Sequence, residues 1–163
     1  MSIADQYVGF PDEATMSTDQ GLFANHHYRD IRGLDADDFA RIWEDEESLL
    51  AYEGDLGDDD AFEEFQDNEL FILDLDPGVA STVAALSTLG ACPYSSCSGD
   101  AGHRETHPLV VFWADRDILN KVLAAAAVVG VEVEGAGSPG LIVYTLGDVS
   151  LMRAFAQELM GQR

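Results

Sequence analysis

The sequence predicts an α+β fold: a mixed, largely antiparallel sheet with helices packed on one face, preceded by an acidic helical and irregular N-terminal segment. Three observations predict it. From residue 70 onward, apolar runs of strand length alternate with stretches of helical periodicity, in the order strand, helix, strand, strand, helix, strand, strand, helix. Neighbouring strands in that order are joined by short connections, which implies antiparallel pairs. Upstream, the strand signal gives way to acid: twenty-three of the 31 acidic residues lie in the first 76 positions, against three basic ones (Arg29, Arg32, Arg41).

Taken in order, residues 1–34 are punctuated by Gly9-Phe10-Pro11 and Gly21 and carry a His26-His27-Tyr28 cluster without periodicity, so they read as irregular. Asp35 caps a helix running to about Tyr52, with Phe39, Ile42, Trp43, Leu49 and Leu50 on one face and Glu44, Asp45 and Glu47 on the other. Gly54 to Asp60 (GDLGDDD) reads as a loop, and Ala61 to Gln66 as a short acidic helix with Phe62 and Phe65 on one side. Leu70 to Leu75 (LFILDL) reads as a strand. Asp76-Pro77 then supplies an N-cap and a first-turn proline for a helix that places Val79, Val83, Leu86 and Leu89 at helical spacing and stops at Gly90.

Cys92 to Ser96 and Leu109 to Trp113 (LVVFW) are strands, the second buried by composition. Asp115 or Asp117 caps a helix through Val129. Val131 to Glu134 alternates as a strand should, Gly135 to Gly140 is a turn-rich connection, and Leu141 to Thr145 (LIVYT) is the last strand. Gly147-Asp148 opens a final helix with Val149, Met152, Phe155, Ala156 and Leu159 on one face. The chain divides into an acidic segment, 1–69, and an α+β core, 70–163, within one compact unit.

Composition bounds the function. The hydrophobic fraction of 47% suffices for a real core, and no run approaches the ~18 apolar residues of a membrane helix. MSIADQYVGF has neither a basic start nor an apolar signal core, and two cysteines make no disulfide framework, so a cytoplasmic location is expected. A formal charge of −23 with no basic stripe argues against direct binding to nucleic acid and to anionic membranes. The acid is also uneven, about −20 before residue 77 and −3 after it. Salt adaptation or general solubility would spread charge over every exposed surface. Concentration in one half points to a place where something cationic docks.

The residues expected to meet that partner are Asp37, Asp38, Trp43, Glu44, Asp45, Glu47, Tyr52, Asp55, Asp58, Asp59, Asp60, Glu63 and Glu64, with Trp43, Tyr52, Phe62 and Phe65 as aromatic anchors among the acids. The expected partner is a basic protein, and the expected mode an immunity-type inhibitor that plugs a nuclease-like or other toxin. The alternatives are a small metal- or thiol-dependent enzyme and an acidic subunit of a larger assembly.

The enzyme alternative rests on Ala91 to Pro108, ACPYSSCSGDAGHRETHP. Two cysteines and two histidines (Cys92, Cys97, His103, His107) match the donor set of a tetrahedral zinc site, although the four-residue gap between the cysteines is wide. A metal-free loop is the preferred reading, with zinc the alternative and no other cofactor expected. Cys97 as a nucleophile would need a helix start after it to lower its pKa, and SGDAGH does not read as one. Ser95 to Gly99 (SSCSG) resembles a motif of the wybutosine-synthesis family that also sits after a helix and before a strand. The arginine that follows the motif in that family is Asp100 here, so the resemblance carries no function across. Asp74 and Asp76 are read as an edge residue and a helix cap in preference to a magnesium site.

Overall fold

The computed structural model describes residues 33–99, 105–136 and 140–163. The expected irregular stretch therefore lies, apart from Gly33 and Leu34, outside the described residues, as do His26, His27 and His103. Among the described residues, six helices and four strands follow one another as α1 (Ala36–Leu50), α2 (Asp59–Phe65), α3 (Glu69–Leu73), α4 (Ala80–Thr88), β1 (Cys92–Cys97), β2 (Leu109–Trp113), α5 (Arg116–Val129), β3 (Glu132–Gly135), β4 (Leu141–Tyr144) and α6 (Val149–Gly161).

The strands form one sheet, β1-β2-β4-β3, in which every pair is antiparallel. Val110 and Phe112 of β2, Leu141 and Val143 of β4 and Val133 of β3 share the face covered by α4, α5 and α6. Val83, Leu86, Leu119, Val122, Phe155 and Leu159 complete that core. The α+β architecture with helices on one face is the one the sequence predicts. On the other face Tyr94 stacks on Trp113 at 4.0 Å between ring centroids, beside Cys92.

The segment Leu70 to Leu75 is a correction. It forms helix α3, ending in a left-handed Asp74 (φ 56), and adds no strand. A run this short and apolar fits either structure, and the caps decide it. Asn68 accepts the Leu70 N–H (2.9 Å) while Asp45, reaching from α1, accepts the Glu69 N–H (2.8 Å). A second correction concerns α4. Asp76 does not cap it: its carboxylate accepts the Ser98 N–H at the end of β1 (3.1 Å). The α4 start is held by Glu46 of α1, whose Oε1 accepts from Gly78 (2.8 Å) and Ser81 (3.3 Å).

That contact follows from where α1 lies. Helix α4 is buried along nearly its whole length, between the sheet on one side and α1 on the other, with α6 alongside. Its sequence, ASTVAALST, has no charge and few large side chains, so helices can approach from several directions. Ile42, Glu46 and Leu49 of α1 are buried against this layer, and Ile42 and Leu49 contribute roughly 1.5–3 kcal/mol each. The acidic helix is therefore packed into the core across residue 70.

Glu46 is fully buried, and Arg153 of α6 neutralises it at 2.9 Å. The guanidinium also stacks on Trp43, 3.7 Å from the ring centroid, donates to the Trp43 carbonyl (3.3 Å) and lies 3.5 Å from Glu47.

Three helices carry their expected caps: Asp35 on α1, Asp115 on α5 and Asp148 on α6. The N–H of Asp38 holds the Asp35 carboxyl below the usual range, and the Ser150 hydroxyl and N–H do the same for Asp148. Depressed pKa values contribute stability above the unfolded value, near 3.8, and lose it as pH falls through the folded value. Circular dichroism is therefore expected to show the ends of α1 and α6 fraying below about pH 4 and holding at pH 5. Equal helicity at pH 3 and pH 5 would contradict this assignment.

Candidate functional site

The candidate binding residues separate into two groups. Some build the fold. Asp38 completes a reciprocal capping box with Asp35 and pairs with Arg41. Asp45 anchors α3, Trp43 lies under Arg153, and Tyr52 meets Phe65 edge-on at 5.2 Å, with Phe65 edge-on to Phe71 at 6.3 Å. The aromatics expected as anchors are thus mostly taken up inside the helical layer.

The others face outward. Asp37, Glu44 and Glu47 lie on the exposed side of α1. Asp55 folds its own loop by accepting the Gly57 N–H (2.8 Å) and stays exposed. Helix α2 starts at Asp59, two residues before the expected start, because Asp58 takes the extended N-cap conformation. It presents Asp58, Asp59, Asp60, Glu63 and Glu64 to solvent. Among the described residues no cation reaches any of these five, since Arg41 is engaged by Asp38 and Glu69 and Arg153 by Glu46 and Glu47. In their midst Phe62 stands 63% exposed, the one of the four interleaved aromatics that the fold leaves outside. Which aromatic would be left free depended on the path of the chain after Tyr52, and the helical spacing of Phe62 and Phe65 did not reveal it.

Unpaired like charge at this density costs stability that salt relieves. Raising sodium chloride from about 0.1 to about 1 M is expected to raise the melting temperature of the free protein by about 3 °C or more, measured by scanning calorimetry. No response would mean that the acids are too far apart to repel.

The four proposed zinc donors do not converge through β1. Cys92 pairs opposite Trp113 and Cys97 opposite Leu109, at the two ends of the strand. At the usual rise their Cα atoms are about 16 Å apart, whereas two thiolates on one zinc have sulfurs within about 4 Å of each other. Cys92 is instead a buried apolar neighbour of Tyr94 and Trp113, and among the described residues no three His, Cys, Asp or Glu side chains gather around a common point.

Cys97 and His107 flank the mouth of the β1–β2 hairpin. The Cys97 sulfur accepts the Gly99 N–H (3.4 Å) and is buried. The His107 ring lies 5.3 Å from the Tyr144 ring, and Tyr144 donates to Glu134 (2.8 Å), which raises its pKa. Gly99 (φ +76) passes so close to His107 that a Cβ would sit 2.4 Å from the His107 carbonyl carbon. Gly99→Ala is therefore expected to cost about 2 kcal/mol, read by urea denaturation; a neutral substitution would show that this mouth is not tightly closed. Cys97 ends a strand, and among the described residues no helix begins directly after it.

No family model matches the sequence, no curated protein matches it, and no solved structure matches the fold. Among the described residues no helix is long and apolar enough to cross a membrane.

Proposed function

We propose that this protein is a non-catalytic binding protein that docks a basic protein partner through the outer faces of α1 and α2 and the loop between them. The immunity-type mode, in which the acidic face plugs the cationic active site of a nuclease-like toxin, is the form of that reading we favour. One observation carries it: the exposed acids of α2 surround an exposed phenylalanine, and no cation reaches them among the described residues.

Such a face steers a cationic partner over long range and gives it an apolar contact on arrival. The packed helical layer beneath favours binding without a large rearrangement. Glu46 ties α1 to the start of α4 through the Gly78 and Ser81 N–H groups and to α6 through Arg153, which holds the acidic face of α1 on the core.

The test is affinity capture from extract of the cells that make the protein, at low and high salt. A basic protein retained at low salt and released at high salt is the expected result. If that protein is toxic when freed, the immunity mode is supported. If it is a harmless basic neighbour, the protein is an acidic subunit of an assembly. Retention of no basic protein at low salt would end the proposal.

A further inference from the structure

We infer that α1, α2 and α3 form an acidic lid that comes off α4 and loosens as one cooperative unit, and that repulsion among its own carboxylates sets how often it opens. The opening concerns the free protein and stands apart from the docking proposed above.

The lid acts as one body because its helices are tied to one another. Asp45 of α1 accepts the Glu69 N–H at the start of α3 (2.8 Å), and the Asn68 amide donates to the Asp45 carbonyl (3.1 Å). Tyr52, Phe65 and Phe71 meet edge-on in series, joining the end of α1 to α2 and α3. Its boundary lies just past α3. Asp74 ends that helix in the left-handed region (φ 56), which costs an L side chain strain. Two residues on, Asp76 is bonded to the Ser98 N–H at the end of β1 (3.1 Å). Opening therefore bends the chain at Asp74 and leaves Asp76 with the sheet.

The ties that hold the lid shut are few. Ile42, Leu49 and Leu70 share a buried cluster to which α4 contributes two alanines, Ala80 and Ala84. Two hydrogen bonds reach the end of α4, from the Leu34 N–H to Ser87 (3.2 Å) and from Thr88 to the Asp35 carbonyl (3.4 Å). The third tie is Glu46 on Gly78, Ser81 and Arg153. There the Ser81 hydroxyl is buried with no hydrogen-bond partner among the described residues, an unmet group that opening hydrates. Charge works against these ties, since residues 33–76 carry eighteen acidic groups and one arginine. Helices of this length do not persist alone in water, so a detached lid loosens and its carboxylates move apart.

The experiment is residue-resolved hydrogen exchange of the free wild-type protein by NMR, followed against urea at about 20 mM and about 1 M sodium chloride. At low salt the amides of α1, α2 and α3 are expected to share one opening. It should be at least about tenfold more populated than the opening that exposes β2 and β4, with a smaller dependence on urea. Gly78 and Ser81 lie beyond the boundary but donate to Glu46, so their amides should exchange with the lid, while the later amides of α4 exchange with the sheet. High salt should lower the lid's open population by about tenfold. One opening common to α1 and the sheet, or Gly78 and Ser81 amides that exchange with the sheet, would overturn the lid. A lid opening indifferent to salt would overturn its control by charge.

Discussion

Arg153→Ala is expected to destabilise the protein by about 3–5 kcal/mol, because it leaves the fully buried Glu46 carboxylate without its cation. The carboxylate keeps the N–H groups of Gly78 and Ser81, which temper the loss but do not neutralise a charge in the interior. The effect reaches further than one ion pair. Arg153 also covers Trp43 and bonds its carbonyl, so the substitution uncovers the ring and frees α1 from α6. Urea denaturation should show the stability loss, and hydrogen exchange should show α1 opening before the sheet. The double variant Glu46→Met, Arg153→Met should recover part of the loss, since paired apolar side chains replace a buried ion pair at little cost. Recovery should stay incomplete because two N–H groups at the start of α4 lose their acceptor. A change below about 1 kcal/mol in Arg153→Ala would mean that Glu46 reaches solvent or another cation.

Neutralising α2 should have the largest effect on binding. In a variant with Asp58→Asn, Asp59→Asn, Asp60→Asn, Glu63→Gln and Glu64→Gln, affinity for the captured basic partner is expected to fall by about a hundredfold or more, chiefly through a slower association rate. Asn is as good a cap as Asp, and the Asp58 side chain makes no cap bond, so the helix should persist. The free variant should be at least as stable as the wild type, because repulsion is removed. Opposite signs for stability and affinity separate a binding surface from a structural one. Stopped-flow association at several salt concentrations checks the prediction; an unchanged association rate would place the docking surface elsewhere.

The fold was legible where two signals agreed. The Asp caps at residues 35, 115 and 148, the glycine stop at 90, and the β-branched and aromatic runs of β2 and β4 each coincide with a hydrophobic period, and all appear as predicted. Leu70 to Leu75 misled because six apolar-rich residues carry too little period to distinguish strand from helix, and Asp45, the residue that helps decide the matter, lies 24 positions away from its partner. Asp76 misled for a related reason. Its local pattern is a good cap, but a buried carboxylate from α1 reaches the helix start instead and Asp76 turns to Ser98. The site was legible as charge and not as surface. Counting acids located the region, whereas the removal of Trp43, Tyr52 and Phe65 from it depends on tertiary contacts with α6 and α3 that no local spacing encodes. The same holds for Cys92 and Cys97, which are five residues apart in sequence and a strand's length apart in space.

The central claim, that a basic partner docks on the acidic face of α1 and α2, is tested most directly by hydrogen–deuterium exchange of the wild-type protein with and without the captured partner. Protection confined to residues 36–67, with the β1–β2 hairpin and α5 unchanged, is the predicted result. Protection at the hairpin around Cys97 and His107, with α2 exchanging as in the free protein, would contradict it.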